Sequence, residues 1–471
     1  MKKISSQQII QRLRTENPWW ETGAISAGFR KLRPRAYLSR FLPLATSREI
    51  RRATVLMGPR RVGKTVMIHH TIQALLDQKE APRRIAYFSM DHPIFNGLGI
   101  EEMLERYAEA AGVNLQADEC HLFFDEIQYL KDWEIQLKVL VDRLPNLKFT
   151  VSGSVAAALR LKSVESGAGR FTDFLLPPLN FHEYLDLLEE TDLVIPPETP
   201  EGFFQTESIQ ELNQRFIHYL NFGGYPEVVF SEAIQSDPGR FIKGDIIDKV
   251  LLRDLPSLYG IQDIQELNSL FATLAFNSAE EVSLEALSKD SGVSKNTLKK
   301  YMEYLEAAFL IRRVHRIDEN ARRFKRANFF KVYLTNPSIR TALFAPISEE
   351  DPAMGNLAET AIFAQWFHSE ALLYYARWKG GEVDIIRLDP RQKVDWAMEV
   401  KWTDRFFRKP KELKNRIKFC HTNHIRNPLI TTRTQTGTRE VENLELRFVP
   451  AALHCYTLGH KLVTGGNHRN V

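Results

Sequence analysis

Four short runs of unbroken apolarity mark the first 180 residues: Ala53-Thr54-Val55-Leu56-Met57, Ile85-Ala86-Tyr87-Phe88-Ser89, His121-Leu122-Phe123-Phe124 and Phe149-Thr150-Val151-Ser152. Continuous rather than alternating apolarity predicts strands covered on both faces, and the intervening segments have helical periodicity. That pattern predicts a doubly wound α/β domain. Ahead of it lie a helical opening, the segment Asn17-Pro18-Trp19-Trp20 and a basic stretch. Ile195-Pro196-Pro197-Glu198-Thr199-Pro200-Glu201-Gly202 is the clearest breaker in the chain, and a mainly helical region follows. Within that region, Leu284 to Lys289 reads as one helix, Ser291-Gly292-Val293 as a turn, and Ser294 to Ala308 as a second helix capped by Ser294. From about residue 325 the pattern returns to mixed α/β and ends in a polar tail.

Composition narrows this little. At 471 residues the chain predicts about three domains, at roughly 100–200 residues each. Lys plus Arg number 63 against 59 Asp plus Glu, so any electrostatic argument for nucleic acid must be local. Cys120, Cys420 and Cys455 are widely separated and form no metal-ligand spacing. A reducing cytoplasm fits them best, and no run approaches the roughly 18 apolar residues of a membrane span.

The first candidate chemistry lies directly after the first strand. Gly58-Pro59-Arg60-Arg61-Val62-Gly63-Lys64-Thr65 has the spacing G-x-x-x-x-G-K-[ST] between a predicted strand and a predicted helix. Glycines let backbone N–H groups close around phosphate oxygens at a helix N-terminus. Lys64 is expected to reach the β- and γ-phosphates of ATP, and Thr65 to give its hydroxyl to Mg²⁺. The third run ends in Asp125 and Glu126: Asp125 is the expected second holder of magnesium, Glu126 the group that orients or deprotonates water. Ser152, at the end of the fourth run, is either a sensor of the γ-phosphate or a satisfied strand-end serine. Arg170 is either an arginine finger, in cis or from a neighbouring subunit, or a surface arginine.

A second constellation lies near the C-terminus. Trp378 to Ile386 reads as a turn into a strand, and Trp396-Ala397-Met398-Glu399-Val400-Lys401 as another. Glu399 and Lys401 project from one face, and pairing of the two strands brings Asp384 to them. Two carboxylates and a lysine suit Mg²⁺-assisted phosphoryl chemistry, with Glu359 on a predicted helix completing the metal shell. By spacing alone, Glu-x-Lys reads equally well as a solvated ion pair.

Taken in order, these segments, together with Gly223-Gly224-Tyr225-Pro226, resemble the prokaryotic AAA-type ATPases that carry a C-terminal winged helix and a PD-(D/E)XK nuclease-like domain. The resemblance covers roughly residues 17–440. It implies a P-loop AAA-type ATPase domain (1–190), a helical lid and winged-helix region (203–320), and a restriction-endonuclease-like α/β domain (321–460). Asn336 departs from the acidic residue expected there. The implied function is ATP hydrolysis coupled to Mg-dependent cleavage of nucleic acid, DNA in the first instance, in genome defence. The alternative is a nucleotide-switched DNA-binding or signalling ATPase with an inactive nuclease-like module. Two basic groups would supply the contacts: Arg312, Arg313, Arg316, Arg322, Arg323, Lys325 and Arg326, then Arg405, Arg408, Lys409, Lys411, Lys414, Arg416 and Lys418. Phe406 and Phe407 offer bases a stacking surface or pack inward. A homo-oligomer is a further expectation, being the setting for a finger in trans.

Overall fold

The four apolar runs are strands. In the computed structural model, which describes residues 5–153, 169–320, 328–369 and 371–465, they are β1 (Ala53–Met57), β2 (Ile85–Ser89), β3 (Cys120–Asp125) and β4 (Leu147–Gly153). A fifth strand, β5 (Phe171–Leu175), joins them in the order β2-β3-β4-β1-β5, every pairing parallel. β5 escaped the apolarity pattern because it is an edge strand whose Phe-Thr-Asp-Phe-Leu sequence is only partly buried. Every residue of β1, β3 and β4 is buried, as strands flanked on both faces require.

The other edge, β2, explains the Asn17-Pro18-Trp19-Trp20 segment. Ile85 and Tyr87 turn backbone groups outward, where no strand follows. The Asn17 side chain pairs with Tyr87 as a strand would: Tyr87 N–H donates to Asn17 Oδ1 at 2.6 Å, and Asn17 Nδ2 donates to Tyr87 O at 3.0 Å. The indole N–H groups of Trp19 and Trp20 both donate to Ile85 O, at 3.0 and 2.8 Å. The segment therefore seals the open edge of the sheet.

These elements lie in the first of two compact units, Met1–Leu176; the second is Pro177–Val471. The expected helical middle region and C-terminal domain share that second unit. It is built on a nine-stranded mixed sheet of β6 (Glu281–Ser283), β7 (Ile311–Ile317), β8 (Phe329–Leu334), β9 (Leu373–Trp378), β10 (Gly381–Leu388), β11 (Val394–Glu399), β12 (Leu429–Thr432), β13 (Gly437–Val441) and β14 (Leu444–Pro450), in the order β13-β14-β12-β11-β10-β9-β7-β8-β6. The expected boundary near residue 320 does not divide this sheet, because β7 pairs in parallel with β9, Arg316 beside Tyr375.

The two predicted helices are Leu284–Ser291 and Lys295–Ala307. Gly292 ends the first at φ 74°, and the Ser294 hydroxyl accepts from Thr297 N–H at 3.2 Å to start the second. One apolar core joins Ile385, Met398 and Val400 to residues of helices Ile209–Phe222, Met354–Gln365 and Ala451–Thr464. A second joins Ile386, Ala397 and Ile430 to Ile417 and Cys420 of helix Lys414–Thr422. Among the described residues, no helix is long and apolar enough to cross a membrane.

Candidate functional site

β1 delivers the chain into the glycine loop at the carboxyl edge of the first sheet, and helix Lys64–Asp77 leaves it. Gly58, at φ 156°, lies so close to the carbonyl of Leu176 that no side chain fits, and Gly63 holds the left-handed φ of 95° at the helix cap. Lys64 is buried and its Nζ donates to the loop carbonyls of Gly58 and Pro59, at 3.1 and 2.8 Å. The loop thus folds around its own ammonium, holding it where phosphate oxygens are expected. Burial pushes the Lys64 pKa down, and the nearby Glu126 and Asp125 charges oppose that shift.

Asp125 ends β3 beside this loop and is 2% exposed. Its Oδ2 accepts from the Thr65 hydroxyl at 2.6 Å and from the Tyr87 hydroxyl at 2.9 Å, and its Oδ1 from Ser152. Burial and the neighbouring Glu126 push the Asp125 pKa up, against the pull of these three hydroxyl donors. Glu126 follows at φ 56°, where its N–H donates to Ser152 Oγ at 3.2 Å and its carboxylate accepts from Gln128. Thr65 and Asp125 thus form a hydroxyl–carboxylate pair of the kind that holds Mg²⁺ beside a nucleotide. The donor chemistry fits that ion.

Ser152 and Arg170 each had two readings from the sequence. The Ser152 hydroxyl is committed to Asp125 and Glu126, so it positions the acid pair rather than presenting a free sensor. Arg170 precedes β5, whose parallel register sets Phe171 beside Ala53 and Leu175 beside Met57. It therefore stands at the amino-terminal end of the sheet, about 15 Å from the loop at roughly 3.3 Å per residue, and it pairs with Asp142 at 3.1 Å. That is beyond the reach of an arginine side chain and excludes a finger in cis.

Tyr87 and Arg35 were not foreseen. Tyr87 had a signal, a hydroxyl in a run predicted to be buried on both faces, which must find a partner. Arg35, buried and donating to Val62 O in the loop at 2.6 Å, lies in a basic stretch with nothing to single it out.

In the second unit, β10 and β11 pair antiparallel, Ile385 opposite Met398, which brings Asp384 beside Glu399. Lys401 Nζ lies 2.7 Å from Glu399 Oε1 and 3.3 Å from Asp384 Oδ2. The expected trio is together, and it is buried rather than solvated: Asp384 and Glu399 are 6% and 3% exposed. Two further cations join it. Arg416 reaches Glu399 Oε1 at 2.5 Å, and Lys331 of β8 contacts Glu359 at 2.8 Å, Glu382 at 2.7 Å and Asp384 at 3.4 Å.

Burial would raise the Asp384 pKa, but Lys401, Lys331 and the Val400 N–H bring it down to about 2. Burial pushes the Glu359 pKa up to about 7, against Lys331 and with Asp384. Burial and Asp384 likewise push Glu399 up. The expected three-carboxylate shell does not form, because Glu359 is turned to Lys331 and to the Tyr333 hydroxyl, 2.7 Å away. Among the described residues, no group of three or more His, Cys, Asp or Glu is placed to hold a metal ion. In this unit Asp384 and Glu399 remain as a pair for one ion, with Lys401 and Arg416 both against Glu399 Oε1 and Oε2 without a hydrogen-bond donor among the described residues.

The basic groups divide. Arg313 pairs with Glu306 at 2.5 Å, Arg316 with Glu281 at 3.6 Å, and Arg312 lies over the Phe363 ring, so these serve the fold. Arg322, Arg323, Lys325 and Arg326 lie outside the described residues. Beyond β11, Arg405 pairs with Glu412, while Arg408, Lys409, Lys411, Lys414 and Lys418 are exposed. Phe406 and Phe407 pack against the core rather than stand free for bases. Asn336 is buried, and its Oδ1 accepts from Ser338 N–H at 2.9 Å, a purely structural bond.

Comparison with known proteins bears on both units. Residues 213–351 match a domain of unknown function. The chain is 26% identical over 71% of its length to an uncharacterized protein of Methanocaldococcus jannaschii, covering 72% of that protein. It is 21% identical over 84% of its length to an uncharacterized protein of Haemophilus influenzae, covering 92% of it. Among solved structures, AMPPCP-bound DnaA from Aquifex aeolicus aligns with 62% of this chain and 92% of its own at 14% identity and a TM-score of 0.29. Residues 50–185 match a family described as an AAA domain, and with the loop and acid pair described above they form an AAA-type P-loop ATPase domain.

Proposed function

We propose that this protein hydrolyses ATP at Gly58–Thr65 and uses its second unit to cleave nucleic acid, with DNA as the preferred substrate. For the ATPase, the supporting observation is the Thr65–Asp125 contact of 2.6 Å with Glu126 next in the chain. In this reading Lys64 and the loop N–H groups hold the phosphates, Thr65 and Asp125 hold magnesium, and Glu126 takes the proton of the attacking water.

For cleavage, the reading rests on Asp384, Glu399 and Lys401 meeting on adjacent strands. Asp384 and Glu399 would hold Mg²⁺, which supplies Lewis acidity to the scissile phosphate when bound. Lys401 would sit beside the water or the phosphate oxygens as a fixed positive charge. In this reading the helix Ile264–Phe276, β6, the two helices and the antiparallel pair β7 and β8 would make up the winged helix. Exposed Lys295, Lys299 and Lys300 on the second helix are its candidate phosphate contacts. Arg408, Lys409, Lys411, Lys414 and Lys418 would guide a strand toward Asp384. The three buried free cysteines suit a reducing cytoplasm, and a homo-oligomer would give Arg170 a role in trans. A part in defence against foreign DNA would use both activities.

One observation favours a second reading. The carboxylates of the second site already carry counterions in Lys331, Lys401 and Arg416, as they would in a nucleotide-switched binding module without cleavage. The deciding experiment incubates linear duplex, single-stranded DNA and RNA with the protein, Mg²⁺ or Mn²⁺, with and without ATP. Cleavage abolished by Glu399→Ala, with ATP turnover kept, supports the nuclease. No cleavage of any substrate beside intact turnover would falsify it and leave the binding module.

A further inference from the structure

Lys331 occupies a position that the acidic site does not require of a bystander. It is 3% exposed in an otherwise apolar strand, where an unpaired ammonium is prohibitively costly. Its Nζ lies within 3.4 Å of oxygens from three carboxylates on two different segments: Glu359 of helix Met354–Gln365, and Glu382 and Asp384 of β10. It also lies 5.6 Å from the Tyr375 ring centroid, which walls the position with apolar surface. An irregularity in the β10–β9 pairing between Val383 and Ile386 falls at this point in β10. Such irregularities re-aim side chains.

We propose that Lys331 is the resident cation of the Glu359–Glu382–Asp384 corner and excludes divalent metal from it. Resting on the nuclease reading above, the consequence is that the site takes one divalent ion, at Asp384 and Glu399, and Glu359 is not a ligand. Charge and space exclude the ion. A metal ion bridging Glu359 and Asp384 must enter the volume the ammonium fills, and two cations cannot share it in a buried setting. On the other side of Asp384, Lys401 and Arg416 both lie against Glu399 Oε1, at 2.7 and 2.5 Å, and its Oε2 has no hydrogen-bond donor among the described residues. The two oxygens of Asp384 divide accordingly, Oδ1 to Lys331 and Oδ2 to Lys401 and the Val400 N–H. Lys331 is thus a positioning residue: it orients Asp384 and neutralises Glu359 without touching the reacting atoms.

The test is Mn²⁺ binding to the nucleotide-free full chain, counted by electron paramagnetic resonance and calorimetry and compared among variants of the second unit, so that any ion at Thr65 and Asp125 cancels. The proposal expects Glu399→Gln to lose one bound ion relative to the wild type and Glu359→Gln to lose none. It also expects Lys331→Met to gain one ion, and Lys331→Met with Glu359→Gln to lose that gain. Loss of an ion in Glu359→Gln, or no gain in a folded Lys331→Met chain, overturns it. If Glu399→Gln loses nothing, the metal reading of the nuclease site fails by itself, while a Glu359-dependent gain in Lys331→Met still establishes the resident cation. Should Lys331→Met not fold, the comparison of Glu359→Gln with the wild type decides.

Discussion

The edge of the first sheet offers a sharp test, because one side chain there serves both stability and chemistry. Asn17→Ala removes three buried hydrogen bonds, two with the Tyr87 backbone at 2.6 and 3.0 Å and one to Leu13 O at 2.7 Å. The Leu13 carbonyl keeps its bond from the Asn17 backbone N–H, so the main cost is Tyr87 N–H and C=O left buried without partners. At about 1–3 kcal/mol for each such group, the loss is about 3–4 kcal/mol. In a unit of this size that lowers Tm by roughly 10 °C. Calorimetry reads it as a shift of the transition that ATP raises, which identifies the ATPase unit. Tyr87 also donates to Asp125, so ATP turnover should fall in the folded variant while affinity for ATP changes less. A shift of a degree or less would mean the edge is satisfied by water, and the account of the Asn17-Pro18-Trp19-Trp20 segment would be wrong.

Other expectations concern the two sites. Glu126→Gln should keep ATP binding and lose turnover by about 100-fold or more, the usual scale for removing a general base, whereas Lys64→Ala should lose binding itself; equal losses of binding in both, by equilibrium dialysis, would contradict the assigned roles. Arg170→Ala should leave turnover of the dilute monomer unchanged, since its partner is Asp142 at the far end of the sheet; a drop at concentrations where only monomer is present refutes that placement. The pKa of Glu359 stands at about 7 against an ordinary 4.5. A raised folded pKa means stability that is full below 4.5 and lost as pH rises through 7. Stability should fall by up to about 3 kcal/mol across that window, and denaturant melts of Glu359→Gln should not show the fall.

Much of this protein is written locally. A strand buried on both faces needs only a continuous apolar run, so β1 to β4 follow from composition within a few residues. The phosphate loop is contiguous, its glycines and lysine placed by chain connectivity and its context by the strand before and the helix after. Glu399 and Lys401 share a face because a strand alternates. Counterions and supports depend on register and strand order instead. Asn17 meets Tyr87 because β2 is an edge, and Arg170 is removed from the phosphates because β5 runs parallel to β1. Lys331 is the one charge in the apolar strand β8, and tertiary packing brings Glu359, Glu382 and Asp384 around it. Local periodicity reports which residues are buried, and only tertiary packing decides which buried charges neutralise one another, because that pairing joins residues far apart in the chain.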